Sequence, residues 1–244
     1  QAAQLNDKEW QILETFGLKV YEGNTHLSID SIKLLDSAEC LSVLQKIMPE
    51  LGAPNLKVTA SLVMKRIAFL TLAPVLYSMS CFDKGLDARL GNCVFEYQLD
   101  NQIWQSKMPL KNTNVTCWED NRAIWREQVL TNVFSKNLTL LVEQFHSLVK
   151  VPRRILWENI AVRVFSIYEN RILKNVPETL KQQAQEDYAF ILDRRNNALF
   201  GVDDNPLSDF FRAKQKTMLS NDKVRVRRTC CYYYLATDPP VYCS

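Results

Sequence analysis

Soft-metal chemistry gathers at one end of this sequence. Cys230 and Cys231 are adjacent, and Cys243 follows after eleven intervening residues. Thiolates are the ligands that zinc and iron–sulfur clusters select, and such clusters usually take four of them. Three occur before the sequence stops at Ser244, so a Cys-x-x-Cys ending puts the fourth two residues past that point. Successive side chains of an extended strand point to opposite faces, so Cys230 and Cys231 can share one centre only where the backbone turns. Pro239-Pro240 ahead of Cys243 suits a stiff, non-helical return segment. The same residues admit two other readings: a strand whose buried cysteines act as small hydrophobes, and a zinc knuckle.

The ending resembles that of the FhuF-type ferric siderophore (ferric hydroxamate) reductases. In that family Cys-Cys, about ten residues, Cys, two residues, Cys holds a two-iron two-sulfur (2Fe-2S) cluster. The spacer here is one residue longer. Leu156-Trp157-Glu158-Asn159 is similar to a Leu-Trp-x-Asn element of the same family. The resemblance implies that Cys230, Cys231 and Cys243 bind the cluster. It implies an oxidoreductase that passes one electron to siderophore-bound Fe(III), releasing Fe(II) for iron assimilation. The implied partners are a hydroxamate or citrate–hydroxamate ferric siderophore and an unidentified electron donor, and the implied location is the cytoplasm. Siderophore-assembling synthetases are related to this family, but 244 residues leave no room for their ATP-binding half.

Between Arg212 and Arg228 lie seven basic residues and one acid, Asp222, in a chain whose net charge is only +3. The run reads as a solvated face, or as a docking face in which Arg225, Arg227 and Arg228 attract an anionic ferric chelate and raise the potential of a nearby cluster. Nucleic acid is not an expected partner, because the total charge is modest and no binding module is recognisable. Six glycines and no phosphate-binding loop exclude the common nucleotide sites. His26 and His146 are the only histidines, which gives a histidine-based triad little support. His146 remains a remote candidate for a fourth cluster ligand. The alternative from a different class is a non-catalytic zinc- or cluster-containing module that binds an anionic partner. Cys40, Cys81, Cys93 and Cys117 have no metal-ligand spacing and read as ordinary buried thiols of a reducing compartment.

Several elements must position this end. Asn6 or Asp7 can cap a helix that Gly17 closes, Asp36 or Ser37 caps a second up to Gly52, and a third runs from about Lys57 to Phe82 around Pro74. Its apolar run from Ile67 to Met79 is shorter than the roughly 20 residues of a membrane span, so a buried core helix is expected and no span. Cys93–Leu99 and Gln102–Ser106 form a hairpin through Asp100-Asn101. Lys19–Tyr21 or Tyr232–Leu235 could add a third strand. From Trp118 to Val149 apolar residues recur at helical spacing, a further helix spans about Arg153 to Asn175, and Pro177 opens another through Leu192. Trp157 and Asn159 sit about 200° apart on a helix, which favours packing for the first and a structural hydrogen bond for the second. The expected fold class is α+β, predominantly α-helical, with a small antiparallel β-sheet built on a hairpin near residues 93–106. Residues 1–212 form the body, and residues 213–244 form the basic segment and cluster-binding tail, in the same domain or as a small appendage. No charged-then-apolar leader follows Gln1.

Overall fold

The computed structural model describes residues 3–217 and 220–241. Cys243 lies outside the described residues. In chain order the elements are α1 (Asp7–Glu14), β1 (Leu18–Val20), β2 (Ser28–Asp30), α2 (Ser37–Leu51), α3 (Leu56–Phe82), β3 (Gly85–Leu86), β4 (Val94–Glu96), β5 (Leu99–Asp100), β6 (Ile103–Trp104), β7 (Met108–Leu110), β8 (Val115–Thr116), α4 (Arg122–Val133), α5 (Thr139–Val149), α6 (Arg153–Ser166), α7 (Leu173–Asn175), α8 (Lys181–Leu192), β9 (Gln215–Thr217) and β10 (Ser220–Val224). The fold is α+β and predominantly helical.

The core is built around α3. Asn55 starts it by accepting from the Val58 N–H at 2.9 Å, and nearly every residue from Val58 to Cys81 is buried. A helix apolar on all sides must be enclosed. This one is long and apolar enough to cross a membrane, yet 83% of its most apolar window is buried inside the protein. The exceptions are Lys65, Arg66 and Phe69, which are only partly buried. They mark the place where α3 reaches the surface, and α6 packs alongside.

The helical stripes hold where the spacing puts them, with one feature that the spacing does not carry. A π-turn at Phe134–Leu138 joins α4 to α5, and another at Ile167–Ile172 joins α6 to α7. Each shifts the helical register of the residues after it. Trp118 is not in the stripe: it precedes the helix, is 40% exposed, and Asn121 provides the cap by accepting from the Ala123 and Ile124 N–H groups.

The strands are short and paired in twos. The hairpin is narrower than expected, with Leu99 opposite Trp104 and Asp100 opposite Ile103. Its turn is Asn101-Gln102, both left-handed at φ 47° and 64°, as a two-residue turn matched to strand twist requires. Upstream, β4 pairs with β2 instead of extending the hairpin, because Val94 and Phe95 are both buried and draw a partner from elsewhere in the chain. Neither proposed third strand joins the hairpin. Instead β1 runs parallel to β7, and Tyr233–Ala236 is a 3₁₀ turn packed against α3.

A buried ion network ties α8 to α3 and α4. Asp187 is fully buried; it accepts from Arg122 Nη1 and Nη2, both at 2.7 Å, from Arg126 Nη1 at 3.3 Å and from Ser80 Oγ at 2.9 Å. Arg122 also pairs with Asp83 at 2.8 Å.

Burial pushes the thiols of Cys40, Cys81 and Cys93 up to about 12, with Asp187 and Asp87 adding to the effect for the last two. Cys117 departs from the expectation of a buried thiol: it is exposed, beyond the end of β8. In the native protein at pH 8, iodoacetamide is therefore expected to modify Cys117 first. Cys40, Cys81 and Cys93 should react only after unfolding, since the thiolate is the nucleophile. Peptide mapping by mass spectrometry checks this, and early labelling of any of the three contradicts it.

Candidate functional site

The tail is stitched to the body by the first half of α6. Leu156, Trp157, Glu158 and Asn159 are all buried. Trp157 packs edge-on against Phe200 with ring centroids 5.9 Å apart. Its neighbours face the tail. The Glu158 carboxylate accepts from the Arg228 N–H at 2.9 Å, the Thr229 N–H at 2.6 Å and the Thr229 hydroxyl at 2.7 Å, and Arg227 Nε lies 3.4 Å away. Asn159 donates to Ser61 O at 2.9 Å and Ser61 Oγ at 3.0 Å while accepting from Arg227 Nη2 at 2.7 Å. Ser61 Oγ in turn donates to Cys231 O at 2.9 Å. Two helices thus hold the backbone from Arg227 to Cys231.

Held this way, the chain turns sharply at the cysteines. Tyr232 is left-handed, φ 67°, and its N–H donates to Cys230 Sγ at 3.3 Å. Cys230 is exposed and Cys231 buried, with Lys65 Nζ 3.9 Å from Cys231 Sγ. The extended strand that would send the two thiols to opposite faces is absent here. An N–H donor on one sulfur and a cation beside the other are the surroundings that favour thiolate ligands of an anionic cluster. The described part of the expected thiolate set is thus two adjacent cysteines at one turn, one exposed and one buried. Among the described residues no group of three or more His, Cys, Asp or Glu side chains is placed to hold a metal. The His146 ring is engaged elsewhere, with Nδ1 2.8 Å from Val151 O.

Beside the thiol turn lies a cleft of about 630 Å³, lined by Lys65, Arg163, Glu169, Lys214, Arg225 and Arg227 among others. Glu169, in the second π-turn, takes Lys214 Nζ at 2.9 Å, Arg225 Nη2 at 3.1 Å and the Tyr188 hydroxyl. Burial raises its pKa, but those three donors together hold the carboxyl below its usual range. The Arg225 guanidinium is clasped between the Phe165 and Phe211 rings, at 4.5 and 4.8 Å from their centroids. Arg225 and Arg227 are therefore parts of the frame, fixed by Glu169 and Glu158, while Arg228 contributes its backbone N–H and is otherwise exposed. A second cleft of about 350 Å³ shares Lys65 and Arg163 and adds Arg66, Gln102, Ile103, Trp104 and Tyr233.

The sequence family described as ferric iron reductase FhuF-like transporter matches residues 61–218, well over half of the chain. The chain belongs to this family. The FhuF-like match contains Ser61, Lys65, Glu158, Asn159 and Arg163, and ends before Cys230 and Cys231. Among solved structures, the aerobactin synthetase IucC from a hypervirulent pathotype of Klebsiella pneumoniae shares the fold, with a TM-score of 0.51 at 12% sequence identity. The similarity covers 74% of the FhuF-like chain and only 36% of the synthetase. No curated protein sequence is significantly similar to the chain.

Reading residues in order finds the thiols and the basic run. It misses Lys65 and Arg163, which carry no motif, and the acids Glu158 and Glu169, whose partners are far away in sequence. The Trp-Glu-Asn element carried the only available signal, and its last two residues both hold the tail.

Proposed function

We propose that the protein reduces Fe(III) held in a siderophore by one electron, in the cytoplasm, with Cys230, Cys231 and Cys243 as ligands of a 2Fe-2S cluster and a fourth cysteine supplied from beyond Ser244. When bound, such a cluster supplies one-electron reducing chemistry, replenished by an external donor. Glu158 and Asn159 fix the thiol turn against α3. Lys65, beside Cys231, favours the more negative reduced state there and so raises the potential. The cleft receives the chelate next to that turn, and no proton-transfer residue is required. Reduction weakens the grip of the hard oxygen donors, and Fe(II) is released. The observation that carries this reading is the placement of a turned Cys-Cys pair on the lysine that lines the cleft, in a chain of the ferric iron reductase family.

The test uses protein that includes the native residues after Ser244. It is expected to be brown-red, to bleach and give an electron paramagnetic resonance signal on anaerobic reduction, and to recover its colour when a ferric hydroxamate is added. Cys230→Ser and Cys231→Ser should each abolish the signal. A colourless, zinc-loaded protein defeats the proposal in favour of a binding module.

A further inference from the structure

Three guanidinium groups gather around one phenyl ring. Arg66, Arg163 and Arg171 lie 5.9, 5.4 and 5.4 Å from the ring centre of Phe69. Among the described residues none of the three is ion-paired to a carboxylate. Arg66 donates to Ser106 Oγ at 2.7 Å and Ser106 O at 2.8 Å, and Arg163 to Lys65 O at 3.1 Å. Arg225 and Arg227, by contrast, each have a glutamate. Burial, then the nearby Arg66, Arg171 and Arg227, push the Arg163 pKa down to about 10, against the opposing effect of Cys231. Arg171 also lies 5.2 Å from the Phe16 ring centre, but aromatic faces attract cations only weakly, so two rings do not neutralise three cations.

The helical register builds the cluster. In an unbroken α-helix residues eight apart, such as 163 and 171, sit about 80° apart; one residue added by the π-turn reduces this to about 20°. The turn thus brings Arg171 round to the face that carries Arg163. Arg66 and Arg163 line the smaller cleft, and Arg163 also lines the larger one. Arg66 and Arg163 therefore open onto the space beside Lys65 and Cys231, while Arg171 is exposed and lines neither cleft.

We propose that Arg66 and Arg163, flanked on the open side by the exposed Arg171, form an anion-binding site that selects carboxylate-bearing, net-negative ferric chelates over neutral or cationic ones. For the identity of the metal cargo this rests on the reductase reading above. Guanidinium groups present planar, bidentate donors that match carboxylates, and they stay charged when partly buried. Phosphate shares that chemistry, and the test separates the two.

Gallium(III) replaces iron, so that binding is read whether or not the protein transfers electrons. The probes are the gallium(III) complex of a citrate-centred bis-hydroxamate, which is net negative, that of a linear tris-hydroxamate bearing an ammonium group, which is net positive, and ATP. Calorimetry at low and physiological ionic strength is expected to show the anionic chelate binding roughly tenfold tighter than the cationic one, with the advantage shrinking as salt rises. Arg163→Gln and Arg171→Gln should bring the two chelates to within about twofold, whereas Arg153→Gln, which breaks an exposed pair with Glu143, should not. The ligand-free Arg171→Gln protein should unfold at the same temperature as wild type or higher, because a repelling cation has gone; a purely structural role predicts a fall. Equal affinity for both chelates, tighter binding of ATP than of either, or unchanged selectivity in the folded variants overturns the inference. Loss of iron reduction with charge-selective gallium binding intact would defeat the reductase reading alone.

Discussion

Replacing Glu158 by alanine is expected to detach the tail while leaving the helical body folded. The side chain is buried, and its carboxylate accepts two backbone N–H groups and a hydroxyl besides facing Arg227. Removing one partner of a buried charged contact costs about 3–5 kcal/mol when the remainder stays buried. Here the remainder is a half-buried surface segment that can open to water, so most of that cost appears as local opening and little as global unfolding. Limited trypsin digestion should cut after Arg227 and Arg228 at least tenfold faster than in wild type, which corresponds to about 1.4 kcal/mol of lost docking. In metal-free protein, alkylation of Cys231 should accelerate in parallel. Cleavage and labelling at wild-type rates would show that the tail is held by something other than Glu158.

The largest loss of global stability is expected from Asp187→Ala. Asp187 serves Arg122, Arg126 and Ser80 at once and is fully enclosed. None of these partners can leave, because they belong to α3 and α4. The variant buries guanidinium charge without its acceptor, at a cost of about 3–5 kcal/mol. For a chain of this length that is a fall in unfolding temperature of roughly 6–20 °C. Differential scanning calorimetry measures it. A change under about 2 °C would mean that Asp83, which also meets Arg122, suffices.

Local signals explain why the frame was legible and the site only partly so. The caps at Asn6 and Asp36 and the apolar spacing of α4, α5 and α6 depend on residues a few positions apart, and the helices form where those signals stand. Hydrophobicity on every side of α3 likewise foretold burial. A π-turn leaves the periodicity nearly intact, so nothing in the stripe reveals that Arg171 is rotated onto the face of Arg163. Pairing of β1 with β7 joins segments about ninety residues apart, and no pattern within either strand specifies the other. The basic run looked like one surface because its acids, Glu158 and Glu169, lie on a different element.

Distance along the chain has one more consequence. The contact between Ser61 and Cys231 spans 170 residues, and those between Glu158 and Thr229 span 71. A ribosome delivers polypeptide from its amino end, so both helices of the receiving surface have left the exit tunnel, or are free to fold, before the adjacent cysteines emerge. The thiol turn therefore docks on a receiving surface that is already assembled.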